Sequence, residues 1–221
     1  MAGPWTLEGL FDRLRSSLDF DPSWPDGDWP VRWGFVPAGF EIAVGAVLTQ
    51  NTRWENVERS LERLAEANLT SPEAILEADG RLEEAIRPSG FYRRKTATLR
   101  RLAALWVRSG ARIPPRGELI DVAGVGPETA DAISLYAAGR AEFVADAYAR
   151  RLVVRLGLER PERVTYSKIK ARFERELRRD PALYRAFHAL IVQHGKRFCR
   201  KRPHCPGCPL SDQCPSSTSE G

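Results

Sequence analysis

An all-α fold is predicted by three features of the chain. Apolar residues recur at three- and four-residue spacing through most of its 221 positions, no stretch of apolar–polar alternation marks a strand, and the punctuation consists of helix caps and short Gly/Pro turns. That length is enough for one large or two small domains with a real core. No apolar run approaches the roughly eighteen residues a membrane span needs, so a soluble chain with no membrane partner is expected. The net charge of +5 favours a polyanionic partner, although charge alone is a weak indicator.

Residues 5 to 18 (WTLEGLFDRLRSSL) place apolar side chains on one face of a first helix, and a Pro/Gly/Trp-rich loop runs from Asp21 to Pro37. FEIAVGAVLTQ is apolar on nearly every face, which predicts a buried helix, whereas WENVERSLERLAEA is amphipathic with its charges outside. Thr70-Ser71-Pro72-Glu73 reads as a capped helix start, with proline tolerated in the first turn. Further helices are predicted over Glu83 to Ile86, Arg93 to Arg108, Glu118 to Val122, Glu128 to Ala138, Ala147 to Leu156, Tyr166 to Arg178 and Pro181 to His194. There is no internal repeat. The closing SSTSEG, 216–221, reads as a disordered tail.

Two stretches carry chemistry. LIDVAGVGPETADA leads one helix into Gly124-Val125-Gly126, whose glycines can take left-handed backbone angles, and Pro127 suits the first turn of the next helix. A hairpin of this kind, with Thr129 just inside the second helix, presents backbone N–H groups that can hold a phosphate without reading sequence. The four cysteines of the chain, Cys199, Cys205, Cys208 and Cys214, lie within sixteen residues beside the basic run Arg200-Lys201-Arg202. Nothing at the N-terminus reads as a signal peptide, so a reducing cytoplasmic setting is expected, in which a disulfide framework is disfavoured. Four close thiolates can converge on one metal centre, and spacing alone leaves tetrahedral zinc and an iron–sulfur cluster both open.

In order along the chain, several segments resemble the helix-hairpin-helix DNA glycosylases of the endonuclease III type. GVGPETA is similar to the family hairpin, and Asp146 in FVADAYARRL follows Glu128 by the eighteen residues that separate the family's hairpin position from its catalytic aspartate. LTQNT, with Gln50 and Asn51, resembles the segment whose glutamine fills the gap left by an extruded base. RPSGFYRRK resembles the loop that wedges into the duplex, with Phe91 at the wedge, and HGKRFC resembles the helix end that enters the iron–sulfur loop. The resemblance covers about Phe40 to Cys214. It departs from the family in having five rather than six residues between Cys199 and Cys205.

The resemblance implies two helical subdomains flanking a DNA-binding cleft. Residues 31–140 would form a six-helix barrel-like domain with the hairpin, and 1–30 plus 141–215 a domain carrying a 4Fe-4S cluster on Cys199, Cys205, Cys208 and Cys214. It also implies a monomer, nucleoid-associated if bacterial, whose partner is double-stranded DNA containing damaged bases, with Asp146 at the mouth of the cleft.

Glu128 is the consequential departure. Bifunctional members of the family have a lysine there, whose amine attacks the sugar and forms an imine that a carboxylate cannot form. The rest of the chemistry survives, because a buried carboxylate at Asp146 can stabilise an oxocarbenium-like sugar and orient water. GVGPETADAI, IRPSGFY and GAVLTQNTRWENV look most like the endonuclease III-like 3-methyladenine DNA glycosylases, which are monofunctional and have glutamate at this position. Alkylated purines are cationic, good leaving groups, and Trp29, Pro30 and Trp33 could floor a pocket for one.

Each of these residues also has a purely structural reading. Asp146 is a good helix N-cap before AYARRL, Glu128 a favourable first-turn acid, and the Trp-rich loop a packing element. Arg200, Lys201 and Arg202 could face phosphates or solvent. Two other functions stay open: an oxidised-pyrimidine glycosylase with a lyase amine at Lys95 or Lys196, and a nearly inactive DNA-binding member.

Overall fold

The computed structural model describes residues 5–19, 29, 31–110 and 112–217. Pro30, residues 20–28 of the Trp-rich loop and the last four residues of the expected tail lie outside them. The regular secondary structure of the described residues is all helical, with no strand among them, in agreement with the all-α expectation. None of their helices is long and apolar enough to cross a membrane. The chain divides into two compact units, one of Met1–Asp28 with Ala141–Gly221 and the other of Trp29–Arg140.

The Trp29–Arg140 unit contains α2 (Ala38–Leu48), α3 (Trp54–Glu66), α4 (Pro72–Glu77), α5 (Arg81–Ile86), α6 (Tyr92–Arg108), α7 (Arg116–Ile120) and α8 (Pro127–Ala132). Helix α2 is its spine: every residue from Phe40 to Leu48 is buried, as its continuous apolar character requires. On the amphipathic α3, Val57, Leu61 and Leu64 form the buried stripe, each contributing about 1.5–3 kcal/mol by leaving water. Helix α4 starts where the cap signature places it, with Ser71 Oγ accepting from Ala74 N at 3.1 Å and Pro72 in the first turn. Trp106 of α6, fully buried, meets Phe40 edge-on at the centre of the core.

One helix departs from expectation. The run predicted as a single helix from Glu128 to Ala138 is α-helical only to Ala132 and continues as a π turn over Ile133–Ala137. Its apolar pattern is satisfied either way, because burying Ile133, Ser134 and Leu135 does not depend on whether an amide reaches back four residues or five.

The second unit contains α1 (Leu7–Ser17), α9 (Ala147–Arg155), α10 (Tyr166–Glu176) and α11 (Pro181–Arg197), followed by the cysteine loop. Leu7, Leu10 and Leu14 of α1 are buried, and Phe11 meets Phe187 of α11 edge-on. Phe143 stacks on Phe173 at 4.1 Å and meets Tyr184 edge-on at 5.5 Å, an aromatic core for this unit. Arg13 of α1 donates to Pro209 O at 2.9 Å and Trp5 Nε1 to Gln213 O at 3.3 Å, so the N-terminal helix holds the far end of the cysteine loop.

Candidate functional site

The hairpin between α7 and α8 is shaped by its glycine. Gly124 has φ +98°, and a Cβ there would stand 2.0 Å from Thr98 Oγ1 of α6, so both the backbone angle and the space require glycine. Thr98 Oγ1 lies 3.1 Å from Arg94 O and 3.4 Å from Ala123 O. Val125 anchors the tip in the core at 5 % exposure, while Gly124, Gly126 and Glu128 are exposed. Gly126 caps α8 with no side-chain hydrogen bond, so the first amides of that helix lack an intrahelical partner, as at any helix start.

Gln50, the third residue of the LTQNT segment, joins this hairpin. Its Nε2 donates to Gly124 O at 3.1 Å and to Thr129 Oγ1 at 2.9 Å. Glutamine and hairpin, far apart in sequence, are therefore one structural feature, with Gln50 turned onto the hairpin and Asn51 exposed beside it. Asn51 is left-handed at φ 54°.

Phe91 stands at the N-terminus of α6 in a left-handed conformation (φ 46°) and is 63 % exposed. A bulky residue there stores strain, and an exposed aromatic gains nothing from the fold, which together suit a residue that inserts elsewhere. Lys95, one turn on, is buried, and its Nζ donates to Leu48 O and to Ser89 O, both at 2.7 Å. Burial lowers its pKa to about 8. Lys95, one of the two amines considered for a lyase step, is thus enclosed and donates to two carbonyls.

Asp146 is the N-cap of α9, as one of its two sequence readings expects. Oδ1 accepts from Tyr148 N and Ala149 N, each at 2.9 Å, and so caps α9; Oδ2 lies 3.6 Å from His188 Nε2 of α11. The carboxylate is largely enclosed, at 15 % side-chain exposure, so one oxygen is structural and the other faces a titratable ring. Tyr148 packs tightly on α11, where a Cβ at Gly195 would be 2.3 Å from its ring. Arg151 lies over that tyrosine's ring at 5.0 Å.

The four cysteines form no disulfide and line one small cavity with His194, His204, Leu152 and Leu210 among its walls. Arg155 organises this loop: Nη1 donates to Cys199 Sγ at 3.1 Å and to Arg200 O at 2.7 Å, and Nη2 to Lys201 O at 2.9 Å. Arg151 Nε holds Cys199 O at 2.6 Å, and His194 Nε2 lies 3.3 Å from Cys208 Sγ. Burial, with the Arg151 and Arg155 charges, pushes the His194 pKa down to about 4. Among the described residues, no three or more His, Cys, Asp or Glu side chains are gathered as a metal ion would need; the thiols ring the cavity instead. Arg200, Lys201 and Arg202 are exposed, and Arg200 Nε donates to Lys196 O at 2.9 Å.

Trp29 lies half-buried against α2, where a Cβ at Gly45 would come within 2.4 Å of its ring. It meets Trp54 edge-on at 5.0 Å and Tyr136 at 5.9 Å, and its Nε1 is buried without a hydrogen-bond partner. Trp33 is half-buried with Arg32 over its ring at 5.4 Å. The loop bearing Trp33 is anchored by the fully buried Glu41, whose carboxylate accepts from Arg32 N at 2.8 Å and Trp33 N at 3.0 Å.

Sequence reasoning missed Thr98, His188, Arg155, Glu41 and the fastening role of Lys95. Two of them carried a signal. Glu41 is a lone carboxylate in an apolar helix, and Lys95 falls on the stripe of Leu99, Leu102 and Trp106 that α6 buries. Arg155 carried none, being one arginine among many.

Residues 44–179 match the HhH-GPD superfamily of base excision DNA repair proteins. A candidate DNA repair glycosylase of Methanocaldococcus jannaschii is 41% identical over 194 residues, covering 82% of this chain and 88% of its own. The structure of an H. pylori 3-methyladenine DNA glycosylase bound to 1,N6-ethenoadenine superposes with a TM-score of 0.74 at 30% identity, over 85% of this chain and 96% of that one. A non-covalent endonuclease III–DNA complex gives a TM-score of 0.81 at 22% identity over 96% and 94%, a likeness of fold.

Proposed function

The chain belongs to the HhH-GPD superfamily of base excision DNA repair proteins, and on that premise we propose that it is a monofunctional DNA N-glycosylase acting on alkylated purines, 3-methyladenine first among them. The observation that carries the reading is Glu128, exposed in the first turn of α8, where the resemblance to bifunctional enzymes calls for an imine-forming lysine. A carboxylate cannot make that covalent bond; of the two alternative amines, Lys95 is enclosed, and Lys196 is exposed in the last turn of α11.

The residues divide the work as follows. The amides at Gly124–Gly126 and the start of α8 hold the DNA backbone without reading sequence, and the exposed Arg200, Lys201 and Arg202 add charge toward phosphates. Phe91 wedges into the duplex, and Gln50, with Asn51 beside it, takes the space of the extruded nucleotide. The Oδ2 side of Asp146 stabilises positive charge on the sugar as the base leaves and orients the attacking water, while Oδ1 stays on the amides of α9. An N3- or N7-alkylated purine already carries positive charge, so it needs stacking more than protonation. Trp29 and Trp33 offer the aromatic surface, and Glu128 lines the approach.

A 4Fe-4S cluster fits the cysteine loop. Four undisulfided cysteines line a single cavity, and Arg155 aims a charged donor at Cys199 Sγ as it would at a thiolate. The resemblance to the endonuclease III type favours a 4Fe-4S cluster over a single tetrahedral zinc, which four thiolates could also hold. Bound there, the cluster would cross-link Cys199, Cys205, Cys208 and Cys214 and fix the basic run between them.

A panel of duplexes with one lesion each, assayed with and without alkali, tests the reading. We expect release of 3-methyladenine faster than thymine glycol, strand breaks only after alkali, and little covalent complex trapped by borohydride. The Glu128→Lys variant is expected to gain some trapping. Efficient trapping by the unaltered chain with a preference for thymine glycol would replace this reading with the oxidised-pyrimidine one. Tight duplex binding with no base released would leave a binding module.

A further inference from the structure

Among the described residues, Lys95 is the lysine whose side chain the fold encloses most unusually: 3 % exposed, and bonded to two backbone carbonyls rather than a carboxylate. An ammonium in such a place costs desolvation, which is why its pKa falls to about 8. A leucine or methionine would fill the same space on the buried stripe of α6 without that cost. What the charge supplies is visible in its two acceptors.

Leu48 O belongs to the last residue of α2, where helix carbonyls lack intrahelical partners and the helix end is negative. Ser89 O closes the 3-10 turn Arg87–Ser89. Beyond the first acceptor come Thr49, Gln50 and Asn51, and beyond the second come Gly90 and Phe91. A second, independent observation singles out the same two turns. Three non-glycine residues among those described are left-handed, and two of them are Asn51 (φ 54°) and Phe91 (φ 46°). Each turn therefore holds a residue in a conformation the surrounding structure must enforce.

We infer that Lys95 is a positioning residue that fastens the Gln50–Asn51 turn to the Phe91 turn, so that the two side chains entering the duplex are presented as one rigid unit. Three hydrogen-bond donors on a single nitrogen can bridge two carbonyls from different elements, which no apolar side chain can do. Without the bridge, each turn is free to relax its left-handed residue separately, and wedge and gap-filler lose their fixed spacing. Simultaneous insertion of both then becomes the slow step of extrusion, while contacts of the hairpin with the backbone are unaffected. The inference rests on the glycosylase reading above, in which Phe91 and Gln50 enter DNA.

The test is a double-mutant cycle read by base unstacking, using a duplex that carries a tetrahydrofuran abasic site beside a 2-aminopurine. Lys95→Met, close in shape, should lower both the fluorescence rise on binding and the single-turnover excision rate on a lesion duplex by about tenfold or more, with Kd for the abasic duplex changed by less than about threefold. In a Gln50→Ala/Phe91→Ala background, the same Lys95→Met change should cost less than about twofold, because the residues it positions are gone. An undiminished tenfold loss in that background would show that Lys95 supports the fold in general and would overturn the inference. So would an unstacking signal unchanged by Lys95→Met. Should the methionine variant fail to fold, Lys95→Leu, which also has no donor, carries the same cycle. Failure of the unaltered protein to unstack 2-aminopurine beside the abasic site, compared with an undamaged duplex, would instead count against the glycosylase reading itself.

Discussion

In the proposed reading, Asp146 serves fold and chemistry through different oxygens. Oδ1 receives both capping hydrogen bonds, while Oδ2 faces His188. Asparagine caps helices about as well as aspartate, so Asp146→Asn should melt within a few degrees of the unaltered chain. Base excision should nevertheless fall at least about a hundredfold, the usual cost of removing a key electrostatic stabiliser, with binding to an abasic duplex retained. Normal excision by this variant would make the carboxylate a cap and nothing more. Lys95 has a measurable signature in pH. Its folded pKa of about 8 lies below the ordinary 10.5, so between those values the unfolded chain binds more protons than the folded one. The burial cost is fully present below about pH 8 and is relieved as pH rises toward 10.5. Urea titrations at about pH 7.5 and 9.5 should therefore show the unaltered chain gaining on Lys95→Met with rising pH, by at most about 1.4 kcal/mol per unit.

The element that decides the site is the α7–α8 hairpin, and its shape depends on a side chain from α6. Gly124→Ala forces a left-handed alanine, costing about 1 kcal/mol or more, and drives its methyl into Thr98 Oγ1. We expect a loss of stability in urea together with weaker binding to undamaged duplex, as the proposed role of the hairpin in holding the DNA backbone requires. Thr98→Ala in the same chain should recover part of the stability, because the hydroxyl clash is removed and the backbone strain is not. A Gly124→Ala protein that melts and binds like the parent would mean the hairpin relaxes easily and that Thr98 does not set its form. Helix α9 illustrates the same dependence, with Asp146 at its start and Arg151 and Arg155 along it reaching Cys199, so a single helix links the capped carboxylate to the cysteine loop.

At the scale of the molecule, the two units have separate cores, one centred on Phe40 and Trp106 and the other on Phe143, Phe173 and Tyr184. Damage to the cysteine loop should therefore be felt first in the unit that contains it. The purified protein should be brown, with about four irons and four acid-labile sulfides per chain. Cys205→Ser should lose that colour and raise hydrogen exchange in α1 and the cysteine loop, which Arg13 and Trp5 join. It should weaken DNA binding while leaving protection around Trp106 close to that of the parent. Stoichiometric zinc in a colourless, active preparation would overturn the assignment of the cluster.

What the sequence determined by itself is whatever depends on near neighbours along the chain. The helical class, the buried α2, the Ser71 cap, the glycine turn at Gly124 and the massing of four cysteines all follow from spacing and local backbone preference. Membership of the family was legible because its motifs run in order along the chain. Tertiary structure alone decided which distant groups meet: Gln50 with the hairpin, Lys95 with Leu48 and Ser89, His188 with Asp146, Arg155 with Cys199, and Glu41 with the amides of the Trp33 loop. Each of those contacts joins a charged or polar side chain to a partner from another segment, mostly a backbone atom or a residue of no distinctive type. Backbone atoms carry no signature in sequence, and a buried charge is placed by the packing around it, so these pairings became visible only once the helices were assembled.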